Sequence, residues 1–204
     1  MSDRDIFINC PFSAEYQEHF QAIVDAVVRS GFNPRCAREN DGGGEVRIEK
    51  ICRIIGECRH GIHDISKTEL DQGSGLPRFN MPLELGLFLG ARKFGGRKHS
   101  LEKALIHNRE EYRYQKFISD IAGQDIHAHN GDIARLIEKG ATWLRDEADD
   151  RRVPGGRARA SEFGRFRAVL PAIAASKRLE PDELTFKDLH AVAVEWILED
   201  SGAS

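Results

Sequence analysis

The sequence predicts an α/β fold: a five-stranded parallel sheet of flavodoxin-like order 2-1-3-4-5, with helices on both faces and a small C-terminal helical extension. Three observations predict it. Short apolar runs alternate with helix-period segments five times before Arg145, the pattern of parallel strands joined by helical crossovers. The 204 residues suffice for one substantial domain plus an appendage. After Trp143 the composition turns charged and carries Pro-Gly-Gly, marking an expected main domain over 1–146, a linker over 147–160 and a helical extension over 161–204.

The elements follow in order. "DIFINC" reads as a buried first strand ending at Pro11, and Phe20, Ile23, Val24, Val27 and Val28 mark a helix with Ser13 as N-cap and Gly31 as its stop. "FNPRCA" is a second strand, placed at the sheet edge by Pro34. A glycine-rich loop, "RENDGGG", precedes a helix carrying Val46, Ile48, Ile51, Cys52, Ile54 and Ile55 at its apolar positions, and "HGIHDIS" is the third strand. The segment "NMPLELGLFLGA" is apolar on nearly every side, as a buried helix would be. "KALIHN" is the fourth strand, "EYRYQKFISDIAG" a helix, "DIHAH" the fifth strand and "DIARLIEKGATWLRDEA" the closing helix. In the extension, Phe186, Leu189, Val192, Ala193, Trp196 and Ile197 form an apolar stripe that must be covered, and Pro171 marks a kink or break.

Composition narrows the function classes. With 31% charged residues and a net charge of −3, no field draws the chain to nucleic acid or to an anionic membrane. No apolar run approaches the length of a membrane span, and "MSDRDIFINC" is charged from the outset, unlike a signal peptide, so a cytoplasmic location is expected. Cys10, Cys36, Cys52 and Cys58 fit that compartment as reduced thiols. No Cys/His spacing matches a zinc site, and His60 and His63 point to opposite faces of one strand, so no metal is expected. Neither a dinucleotide glycine fingerprint nor a P-loop is present.

Glu84 is the residue the pattern does not absorb. With Pro82 as the first helical residue, Glu84 falls third, where a carboxylate caps free backbone N–H groups. The 2-1-3-4-5 order offers a second role. Ligands bind beyond the carboxyl ends of strands where the winding reverses, here between the first and third strands. Asn9, Cys10, Pro11 and Phe12 emerge there from the first strand, Asp64 and Ser66 from the third, and Asn80 and Glu84 open the helix that begins at the same edge. Arg47, at the start of the second helix, can reach a phosphate, and the helix starts offer N–H groups to one. These ingredients suit a nucleotide or sugar.

Those residues together resemble the Toll/interleukin-receptor (TIR) superfamily, in particular bacterial stand-alone TIR-like proteins, over about 5–145. "DIFINCPFS" resembles the opening strand and loop, "RENDGGGE" the loop after the second strand, "HDIS" the third strand, and "NMPLELG" the helix that carries the catalytic glutamate. The Glu-Leu-Gly also resembles nucleoside 2-deoxyribosyltransferases, a related fold. Asn-Cys-Pro in place of Ser-Tyr, and Asn80-Met81 in place of Trp-Cys, mark a divergent member.

The resemblance implies cleavage of the nicotinamide–ribose bond of NAD, to a linear or cyclic product, in antiphage defence. Glu84 would be catalytic, and Asn9, Cys10, Pro11, Phe12, Arg47, Asp64, Ser66 and Asn80 would bind substrate. It further implies NAD as substrate rather than cofactor, self-association, and a partner defence protein. A nucleoside or nucleotide glycosidase or deoxyribosyltransferase, and a non-catalytic binding module, remain the alternatives, because fold alone does not choose among them.

Overall fold

The computed structural model describes residues 2–39, 44–71, 73–148 and 154–202. The sheet contains β1 (Ser2–Asn9), β2 (Asn33–Cys36), β3 (Cys58–Asp64), β4 (Lys103–Asn108) and β5 (Ile126–Ala128). All five strands are parallel, in the order β2-β1-β3-β4-β5. The expected sheet is thus present, with Pro34 on an edge strand. The register sets Asn9 beside His63 and Asp64 beside His107, so polar residues gather at the carboxyl ends of the central strands. The six helices among the described residues are α1 (Gln17–Arg29), α2 (Arg47–Glu57), α3 (Asn80–Phe94), α4 (Ile133–Ala148), α5 (Gly156–Ser176) and α6 (Phe186–Gly202). None is long and apolar enough to cross a membrane.

The chain divides into two compact units. One holds β1, β3, β4 and β5 with α2 and α3. There Phe7 packs with Ile51, Ile54 and Ile55 of α2 and with Phe88 of α3. A second cluster joins Met81 and Leu85 to Ile65, Ile106 and Tyr114. Burying side chains of this size stabilises by about 1.5–3 kcal/mol each.

The other unit holds α1 from Glu18 onward with α4, α5 and α6. The α6 stripe is covered within it: Phe186, Leu189, Val192 and Ala193 are buried, and the Phe186 ring lies 6.2 Å from that of Phe20 on α1. Arg29 ties three helices together through Asp25 at 3.0 Å, Asp200 at 3.5 Å and Glu162 at 3.7 Å. Pro171 does not break α5. Its neighbours Phe166, Leu170 and Ala174 are buried, while the proline lies on the exposed side, where an unpaired carbonyl is tolerated.

Three local expectations are revised. The helix read over 111–123 is instead two 3-10 turns, Arg113–Lys116 and Ser119–Ile121. Tyr112 in the left-handed region and Ile118 at φ −150°, ψ 60°, outside the helical region, prevent a continuous helix. Tyr114, Phe117, Ile118 and Ile121 still pack on the second core cluster, so the apolar spacing served burial rather than helix. The helix α3 starts two residues before Pro82, and α5 starts at Gly156, inside the stretch read as linker. Of the glycine-rich loop over 38–44, residues 40–43 lie outside the described residues, as do 149–153 of the linker.

Candidate functional site

The loop after β1, the loop after β3 and the starts of α2 and α3 enclose a cleft of about 230 Å³. It lies at the reversal of winding between β1 and β3, where an open parallel sheet binds ligands. Cys10, Pro11, Phe12 and Ser13 form one wall, and Asn80, Met81 and Glu84 another. Arg47, Lys67 and Arg78 bring three cations to it. A smaller annex of about 160 Å³ adjoins, lined by Ile48, Ile51 and Leu83 and sharing Arg47, Asn80 and Glu84 with the main cleft.

Glu84 is the fifth residue of α3, not the third. Proline lacks a donor that none of the first-turn positions requires, so Pro82 is tolerated at the third position as well as the first. The two-residue shift removes the capping role, since Glu84 has left the first turn, where free N–H groups are found. It turns Glu84 onto the buried face with Met81, Leu85 and Phe88. The residue is only 5% exposed, and among the described residues no hydrogen bond reaches its carboxylate. Burial pushes its carboxyl up to about 7, with the Arg47 guanidinium acting in the opposite direction. It is also the only carboxylate among the described residues lining either cavity.

Below the cleft, Asn9 fixes the start of α3. Its Nδ2 donates to Met81 O at 2.9 Å and lies 3.1 Å from His63 Nδ1. Because that nitrogen donates to a carbonyl, the amide orientation is set, and its second hydrogen meets Nδ1 as an acceptor. His63 therefore carries its proton on Nε2. The ring sits between Phe7 and Phe88, with centroids 5.8 Å and 4.9 Å away. Burial drives its pKa down to about 3, so it stays neutral and supplies no acid for the cleft.

Asp64 and Ser66 join a separate buried network. Asp64 accepts hydrogen bonds from the Tyr16 hydroxyl and, at 2.8 Å, from Ser66 N–H, and lies 3.2 Å from His129 Nε2. The same Nε2 lies 2.8 Å from Ser66 Oγ, while His129 Nδ1 accepts Gly131 N–H at 3.0 Å. With Nδ1 an acceptor, Nε2 is the donor, so His129 is not placed as a base for Ser66. Burial acts to raise the Asp64 carboxyl, but the hydrogen bonds it accepts from His129 and Ser66 hold it well below the ordinary range.

The cleft thus assembles Cys10, Pro11, Phe12, Arg47, Asn80 and Glu84 of the expected set. Asn9, Asp64 and Ser66 are not in its wall; they act beneath it, as struts for the loops and the start of α3. Sequence reasoning missed Lys67 and Arg78, which come from the long polar segment between β3 and α3. Their only signal was proximity to a strand end and a helix start. No group of His, Cys, Asp and Glu among the described residues is arranged to hold a metal ion.

Fold and cleft define a class: a flavodoxin-like α/β protein with a buried glutamate lining its switch-point cleft. Compared with family models, curated proteins and solved structures, the chain gives no match.

Proposed function

We propose that the protein is a TIR-like enzyme that cleaves the nicotinamide–ribose bond of NAD, with Glu84 as the catalytic residue. The observation that carries this reading is a glutamate only 5% exposed, whose carboxylate accepts no hydrogen bond among the described residues and which lines a polar cleft with an apolar annex. Such a group is expensive to keep unless a ligand uses it.

The chemistry suits a single glutamate. As the C1′–N bond breaks, its electron pair moves to the nicotinamide ring, which leaves neutral, so no strong general acid is required. Positive charge develops on the ribose, and an ionised Glu84 stabilises it. In the hydrolytic branch, water then bonds to C1′ and loses a proton, which a carboxylate titrating near 7 is matched to accept. The annex walls of Ile48, Ile51 and Leu83 suit a planar ring beside the carboxylate. Asn80, on the same wall, can hydrogen-bond a ribose hydroxyl.

Antiphage defence by NAD depletion or by a cyclised product is the role the TIR resemblance implies, within a self-associating assembly. The test is chromatography of purified protein incubated with NAD and, separately, with deoxynucleosides. Nicotinamide together with ADP-ribose or its cyclic form supports the reading. Base release from deoxynucleosides with NAD untouched replaces it with the deoxyribosyltransferase alternative.

A further inference from the structure

The outward face of α3 carries an apolar stripe that the described residues leave in water. From the N-cap onward, Phe79, Leu83, Gly86, Leu87, Gly90 and Phe94 fall on one side of the helix, within about 100° of one another. Phe79 and Leu83 are each 56% exposed and Phe94 84%. No charged residue falls on the stripe. Two features separate it from scattered surface hydrophobes. A glycine inside a helix is destabilising relative to alanine, yet a Cβ at Gly86 or Gly90 would meet nothing within 4 Å. Packing among the described residues therefore requires neither glycine, and what the pair leaves open is the close approach of another helix. The stripe also has the extent of an interface. Ile48, which shares the annex wall with Leu83, is exposed beside it. With about 200 Å² for a phenyl side chain, this face leaves on the order of 500 Å² of apolar surface in water, the greater part of the about 800 Å² that each partner buries in a stable interface.

We infer that this stripe is the interface between two copies of the chain, packed α3 against α3, antiparallel about a two-fold axis. The steps along the stripe are four, three, one, three and four residues, the same read from either end. Antiparallel pairing centred between Gly86 and Leu87 therefore sets Leu87 against the partner's Gly86, Leu83 against the partner's Gly90, and Phe94 against the partner's Phe79. Each leucine enters the notch left by a glycine, and ring meets ring at both ends. That is the self-complementarity an isologous contact requires, and an unrelated partner would call for no such symmetry. The contact also borders the cleft. Leu83 is a wall of the annex that Glu84 shares, so the second copy covers the annex rim; only this consequence rests on the proposed function.

Sedimentation equilibrium of the full chain over a wide range of concentration tests this without substrate. A reversible dimer is expected. Gly86→Ala combined with Gly90→Ala should raise the melting temperature of the dilute monomer, because alanine is the better helix former and has room there. The same pair should weaken the dimer about tenfold or more, since the notches are filled. Glycines with a merely structural role would not give these opposite signs. Phe79 and Phe94 lie about 22 Å apart along one helix and cannot meet within a chain. Phe79→Glu and Phe94→Lys, each suited to its end of the helix dipole, should each weaken dimerisation, and the two combined should restore it through Glu–Lys pairs at both ends. A parent that is monomeric at every concentration, a dimer undiminished by the two alanines, or a double charge variant no better than the single ones overturns the inference. A dimer with these responses in a protein that leaves NAD intact sinks the proposed reaction and leaves the interface standing. NAD cleavage by a protein that stays monomeric sinks the interface alone.

Discussion

Glu84→Gln should make the protein more stable at alkaline pH while removing its chemistry. The buried carboxyl titrates near 7 instead of its ordinary 4.5. The folded state therefore holds a proton that the unfolded chain has already lost, and stability falls as pH rises through that interval. The gap corresponds to about 3 kcal/mol at most above pH 7. Water in the open cleft solvates part of the charge, so about 1–3 kcal/mol is the expected gain for the uncharged isostere. For a chain of this size that raises the melting temperature by a few degrees or more. The assay is thermal or urea unfolding of both proteins across pH 4 to pH 8. The advantage of Gln should be largest at the alkaline end and shrink towards zero below the ordinary carboxyl value of 4.5. A Gln variant less stable than the parent at pH 8, or one with the same advantage at every pH, would refute the reasoning and restore a structural role for the carboxylate.

Two further outcomes follow from neighbouring contacts. Arg47→Gln removes the cation that holds the Glu84 carboxyl down, so the acidic limb of a pH profile of NAD cleavage should move to higher pH; an unmoved limb would show that Arg47 does not act on Glu84. Gly61→Ala places a Cβ 2.5 Å from His63 Nε2 and 3.0 Å from the Phe88 ring, and because Asn9 holds that imidazole, about 1–3 kcal/mol of stability should be lost, read as a lower melting temperature.

How far each feature could be read from the chain depended on the range of the interactions that fix it. The apolar runs "DIFIN" and "KALIHN" are buried strands wherever they fall, and the sheet order followed from their alternation with helices. The switch-point cleft followed from that order, and with it the places of Phe12, Asn80 and Glu84. The exact start of α3 did not, because proline is tolerated at several first-turn positions, and the two-residue difference decides whether Glu84 caps or faces the cleft. The inward turn of Asp64 depends on Tyr16 and His129, distant in sequence, which no local pattern announces. Lys67 and Arg78 read as ordinary surface charges, since only the folded path of the segment after β3 brings them to one rim. The stretch over 111–123 shows the converse case: spacing alone does not separate a helix from irregular turns that bury the same side chains.

The most direct measurement is nicotinamide release from NAD by the purified protein beside its Glu84→Gln variant, followed by chromatography between pH 6 and pH 8. If Glu84 acts as an ionised carboxylate, the parent releases nicotinamide at a rate that rises through about pH 7, while the Gln variant, folded and at least as stable at the alkaline end, releases none above the uncatalysed background. Release by the Gln variant at the parent's rate, or a parent that leaves NAD intact at every pH and in every state of assembly, would contradict it.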